Sequence, residues 1–224
     1  MQKIDKSLIL ATEYKKWLDS INKKYKHPNY TSSNHRFYYD VIANLLWVQK
    51  GLCAYTELFL CDVKHLDKSK WKNGKFEQFD FKGQLDHYDA TLKEKKGWEW
   101  KNFFMIDSDV NRKKNDKKMS GYLKPDDENY NPFYFLQYDF KTHNFTPNTE
   151  RTEKEQDKIL EEINILGLNF QPIIDIRKKY ITPLIDDVSL GLKTYAEVRK
   201  NLYQFYTSFE MSFRSLQLET NLVV

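Results

Sequence analysis

The chain has 224 residues, 40% hydrophobic and 30% charged, with 15 Phe, 15 Tyr and 5 Trp against 7 Gly and 6 Pro. That aromatic content excludes a disordered chain, and the length is enough to bury a core without staples. The net charge of +4 is too small to imply polyanion binding by itself, and two cysteines, Cys53 and Cys61, are too few for a disulfide framework or a four-thiolate zinc site.

Leu8, Ala11, Tyr14, Trp17, Leu18 and Ile21 recur at helical spacing, predicting an amphipathic helix over Ile4–Lys24 that His27-Pro28-Asn29 ends. Phe37, Val41, Ile42, Leu45, Leu46 and Val48 predict a second over Ser33–Gln49, with Gly51 as its stop. Short aromatic runs separated by charged turns then predict strands and loops from Leu52 to about Asn148, enclosing one short helix near Asp109–Lys118. Thr152-Glu153-Lys154-Glu155 matches a capping box and opens a helix to about Leu166; further helices are expected over about Pro172–Leu184 and Tyr195–Leu216. The expected fold is α+β, one continuous body with helical parts at 1–50 and 149–224 around a core at 51–148. No stretch approaches the roughly 20 apolar residues of a membrane span, and Leu8-Ile9-Leu10 lies among charges, so a cytoplasmic protein away from membranes is expected.

The chemistry concentrates in the central part. Leu85-Asp86-His87-Tyr88 is followed by Trp100-Lys101-Asn102-Phe103 and then by Val110-Asn111-Arg112-Lys113-Lys114. Hydrolysis of a phosphodiester needs a cation against the charge on the phosphate and a base that deprotonates water near neutral pH. Asp86 and Asn111 offer oxygen ligands suited to Mg²⁺ or Mn²⁺, and His87 offers the base. Arg112, Lys113, Lys114, Lys117 and Lys118 supply positive charge for a nucleic-acid backbone, beside a helix N-terminus expected to face the phosphate. Adjacent strand residues point to opposite faces, so Asp86 and His87 can share a site only at a strand end or bulge.

This pattern resembles the HNH, or ββα-metal, nuclease family. The resemblance implies that Asp86 and Asn111 ligate the metal, that His87 is the general base, that Asn102 holds the loop orienting His87, and that DNA is the substrate. The chain is closer still to the bacterial HNH subfamily that includes the nuclease partner of the ATPase in Septu-type phage defence and in some retron systems. The likeness rests on Cys53-Ala54-Tyr55-Thr56-Glu57, Leu166-Gly167-Leu168-Asn169 and Arg177, and it implies an ATPase partner in phage defence. That subfamily holds zinc with two Cys-x-x-Cys pairs. Here Thr56, Asp107 and Val110 replace thiols, so the structural zinc is expected to be lost, with Trp98, Trp100, Phe103 and Phe104 supplying the packing instead.

Other readings stand beside these. An HNH-like module without catalytic activity would bind nucleic acid or an ATPase, and the substrate of an active one could be RNA. The basic run is also read as a solvated helix face, and Asn102 and Asn111 as caps. His27, His35, His65 and His143 are expected at the surface or in loops, and Cys53 as a small buried hydrophobe. Tyr203, Phe205, Tyr206, Phe209 and Phe213 are read as core, or else as a docking surface for an ATPase or a second copy.

Overall fold

A computed structural model describes residues 1–7, 13–24, 26–28, 30, 36–66, 71–72, 75–76 and 79–216. The chain is α+β and divides into two compact units. No helix among the described residues is long and apolar enough to cross a membrane.

One unit comprises Ile4–Ala54 and Phe59–Met119. Its first helix, α1 (Glu13–Ile21), buries Tyr14, Leu18 and Ile21. The expected start of this helix is not realised at Ile4, because residues 4–6 are irregular, while Leu8 and Ala11 lie outside the described residues. Lys6 is buried instead, donating to the carbonyls of Phe103 at 2.6 Å and of Trp100 and Lys101 at 3.4 Å, with its ammonium 3.4 Å from the Phe104 ring centroid. Helix α2 (Tyr38–Val48) buries Val41, Ile42, Ala43, Leu45 and Leu46 completely. Gly51 stops it at φ +74, where an added Cβ would meet the Cys61 carbonyl at 1.9 Å.

Among the described residues, three antiparallel strand pairs follow along the chain. The first is β1 (Trp71–Lys72) with β2 (Lys75–Phe76). The second pairs β3 (Gln84–His87) with β4 (Phe103–Ile106), in a register that sets Asp86 opposite Phe104 and His87 opposite Phe103. The short helix α3 (Lys93–Lys96) lies between these two strands, and α4 (Ser108–Lys114) packs on β3. All four residues of β4 are buried. The outer edge of β4 is closed by Gln49, whose side-chain amide takes the Met105 N–H at 2.9 Å and donates to its carbonyl at 2.8 Å. Trp98, Trp100, Phe103 and Phe104 are 0–6% exposed and form the aromatic heart of this unit. His27, expected at the surface or in a loop, lies in a loop and is buried with them. Its Nδ1 accepts the Trp98 amide at 3.3 Å, because a backbone N–H buried among rings requires an acceptor.

The second unit comprises Met1–Lys3, Tyr55–Leu58 and Ser120–Val224. Here α5 (Pro132–Phe135) leads into the hairpin β5 (Leu136–Asp139) and β6 (Asn144–Pro147). Helix α6 (Glu153–Ile165) begins at the expected capping box of Thr152 and Glu155. Helix α7 runs over Gln171–Ser189, five residues past the expected end at Leu184, and carries Pro183 inside it. The expected single helix over Tyr195–Leu216 is two, α8 (Tyr195–Asn201) and α9 (Tyr206–Ser215). The break falls where Phe205 adopts φ +55 and its N–H bonds the Glu57 carbonyl at 3.3 Å, a tertiary bond that an unbroken helix would forbid. Phe205, Phe209 and Phe213 are core, whereas Tyr203 is 53% exposed.

The Leu-Gly-Leu-Asn segment and Arg177 serve the β5–β6 hairpin. Asn169 pairs with both backbone groups of Phe145 at 2.8 Å, and Arg177, fully buried, donates to the carbonyls of His143 at 2.6 Å and Leu168 at 2.9 Å. His143, expected at the surface or in a loop, lies in the β5–β6 turn but is 2% exposed, between Tyr138 at 2.6 Å and Thr182 at 3.2 Å. His35 lies outside the described residues.

Candidate functional site

A cavity of about 480 Å³ is lined by Asp86 and His87 from the end of β3 and by Asn111 and Arg112 from α4, with Lys93 of α3 beside them. His87 is the last residue of β3, and beyond it the chain turns at Tyr88 and Asp89. At this strand end Asp86 and His87 both reach one cavity, although alternation within a strand would separate them.

The turn is fastened by Asn102. Its Oδ1 accepts the Asp89 N–H at 2.8 Å, its Nδ2 donates to the Asp89 carbonyl at 2.9 Å, and its own carbonyl accepts the Tyr88 N–H at 2.8 Å. Asn102 is 3% exposed and is not among the residues lining the cavity, so it acts on position rather than by contact.

The His87 ring is fixed by Nε2, 2.9 Å from the Gly97 carbonyl. That bond places the proton of the neutral ring on Nε2 and leaves Nδ1 as the acceptor. Tyr30 and Phe103 flank the ring, with centroids 4.7 and 4.8 Å away. Burial pushes the His87 pKa below its ordinary value; the Gly97 carbonyl and Asp86 oppose the shift, while Lys93 and Lys114 reinforce it. The imidazole is therefore neutral near pH 7. Gly97 is required here by space, since an added Cβ would lie 2.6 Å from the Lys93 carbonyl and 3.0 Å from Tyr30 Cβ.

Lys114 contradicts its expected place on a nucleic-acid-binding face. It is fully buried and donates to Asp86 Oδ1 at 3.1 Å and to the His87 carbonyl at 2.9 Å. The reason is helical periodicity: Lys114 stands one turn after Val110, which is also fully buried, so both fall on the inward face of α4. The other expected basic residues, Arg112, Lys113, Lys117 and Lys118, are exposed. Arg112 is shared with Asp109 at 3.0 Å, and Lys117 and Lys118 lie beyond the helix, which ends at Lys114 where Asn115 takes φ +50. Helix α4 opens just after Asp107, as expected: Asp107 caps it, accepting from the amides of Asp109 and Val110, and its first residue, Ser108, lines the cavity together with Asn111.

Asp86 and Asn111 line the same cavity; Asn111 commits its Nδ2 to Gln84 Oε1 at 2.9 Å, which leaves its amide oxygen outside that bond, while Asp86 Oδ1 is already held by the Lys114 ammonium. Among the described residues, no group of three or more His, Cys, Asp or Glu is placed to hold a metal. Cys53, expected as a small buried hydrophobe, is buried, and its sulfur accepts the Asp107 amide at 3.3 Å.

Sequence reasoning missed Gln84, Lys93 and Tyr30. Lys93 belongs to an undifferentiated charged run and Tyr30 follows the helix-ending His27-Pro28-Asn29, so neither carries a motif. Comparison with protein-family models and with curated proteins returns no match.

Proposed function

We propose that this chain is a metal-dependent nuclease of the HNH type that hydrolyses phosphodiester bonds in DNA, with His87 as the general base. The observation that supports it most is the single cavity holding a neutral imidazole with a free acceptor nitrogen, a carboxylate and an amide oxygen, with Lys93 and Arg112 on its wall. His87 Nδ1 takes a proton from the attacking water while Nε2 remains anchored on Gly97, so the ring need not turn. Asn102 keeps the turn after His87 in place through the reaction. Lys93 and Arg112 draw the polyanion in. Asp86 and Asn111 would hold Mg²⁺ or Mn²⁺, which when bound offsets negative charge on the phosphate and the leaving oxygen. The resemblance of the sequence extends the proposal to phage defence beside an ATPase.

Plasmid nicking by wild type and His87→Ala, each with Mg²⁺, Mn²⁺ or EDTA, tests this reading. Nicking by wild type alone, abolished by EDTA, is expected, and equal cleavage by both proteins would overturn it. A second reading, a nucleic-acid-binding module without catalysis, draws on the Lys114–Asp86 pair, which neutralises part of the carboxylate internally. It would show as DNA binding with no nicking under any of the metal conditions.

A further inference from the structure

A second cavity, of about 600 Å³, adjoins the first and shares Ala90, Lys93 and Asp116 with it. Its other lining residues among those described are Tyr30, Thr91 and Glu94. The Tyr30 ring stands almost perpendicular to that of His87, at 87°, and is backed by Trp98 and Phe103 with centroids 5.0 and 6.0 Å away. Lys93 Nζ lies 5.9 Å from the Tyr30 ring centroid. The reaction described above makes no use of this cavity.

We propose that the second cavity is a subsite for an unpaired nucleobase, which stacks on Tyr30 while Lys93 meets the phosphate joining it to the nucleotide in the first cavity. The assignment rests on the nuclease reading of the first cavity. Two cavities with a common wall follow a strand from a phosphate to the neighbouring base. A half-buried aromatic ring fixed from behind is a stacking platform, and it serves any base because every base has a π-face. Glu94, which lines this cavity and not the first, repels a further phosphate but can accept hydrogen bonds from exocyclic amines, which assigns the space to a base rather than to backbone. A base inside a duplex is stacked on both faces and paired at its edge, so only an unpaired one can enter. The structure thus points to single-stranded, looped or frayed nucleic acid as the preferred substrate.

The test is equilibrium binding by the wild-type chain in EDTA, where no cleavage interferes. The probes are a short DNA strand carrying 2-aminopurine, its duplex form, and an RNA strand of the same sequence. Single strands should bind about tenfold or more tighter than duplex, with quenched 2-aminopurine fluorescence. Tyr30→Phe should retain this preference, and Tyr30→Leu, its fold checked by thermal melting, should lose about tenfold in single-strand affinity. Duplex binding as tight as single-strand binding by wild type would overturn the proposal, and this comparison needs no variant to fold. Unchanged single-strand affinity of a folded Tyr30→Leu protein would overturn it equally. Failure of the nuclease reading appears separately, as intact plasmid in the nicking assay whatever the strand preference.

Discussion

The ammonium of Lys114 lies 3.1 Å from Asp86 Oδ1, with Lys114 0% and Asp86 6% exposed, and the same ammonium holds the His87 carbonyl. One side chain from α4 thus fixes both members of the Asp86-His87 pair at the strand end. Removing one partner of a buried pair leaves the other charge uncompensated. Lys114→Met should therefore destabilise the chain by about 3–5 kcal/mol. The double variant Asp86→Leu/Lys114→Met should recover much of that loss. Chemical denaturation of the three proteins measures it; a single variant within about 1 kcal/mol of wild type would mean the pair is not formed.

Asn102 binds both backbone groups of Asp89 and does not line the cavity. Asn102→Ala leaves the part-buried Asp89 N–H unmet, while the Asp89 carbonyl keeps the Leu92 N–H at 3.3 Å, costing roughly 1 kcal/mol or more. In the proposed reaction it should lower kcat with little change in KM, because it disturbs the position of His87 and not substrate contact. An effect confined to KM would place Asn102 against the substrate instead.

Burial pushes the His87 pKa below its ordinary value of 6.5. A general base works in its neutral form, so the acidic limb of the rate profile for nicking should fall below pH 6.5. A limb centred above pH 7 would assign the base to another group.

His143 provides a pH test of stability in the other unit. Burial, reinforced by Arg177 and Lys178, lowers its pKa to about 4. The folded state binds this proton less readily than the unfolded state, whose histidine titrates near 6.5. Stability is therefore full above that value and falls as pH drops from about 6.5 to about 4, by on the order of 3 kcal/mol. His143→Gln should flatten the dependence of unfolding free energy on pH across that window, and an unchanged slope would rule out His143 as its source.

Gly97 offers the Nε2 acceptor from a backbone with no room for a side chain. Gly97→Ala would force its Cβ to within 2.6 Å of the Lys93 carbonyl. It should cost about 1–3 kcal/mol by overpacking and slow nicking through the displaced carbonyl. Thermal melting and nicking rates together check this, and a variant with wild-type values in both would show that the segment relaxes freely.

Local patterns were legible in the sequence. The apolar period of α2, the capping box at Thr152 and Glu155 and the stop at Gly51 depend on residues close in the chain, and they appear where expected. Asp86, His87 and Asn111 could be singled out in the sequence as residue types able to serve the proposed phosphodiester chemistry, and they line one cavity. The tertiary structure decided what depends on partners distant in sequence. It turned Lys114 inward onto Asp86, broke the last helix at Phe205 to bond Glu57, and buried His27 and His143 against Trp98 and Tyr138. A charge run reads as solvated from composition alone, and a histidine without a partnering motif reads as a surface or loop residue. Which face of a helix meets the core, and which buried amide or hydroxyl needs a partner, exist only once the elements pack.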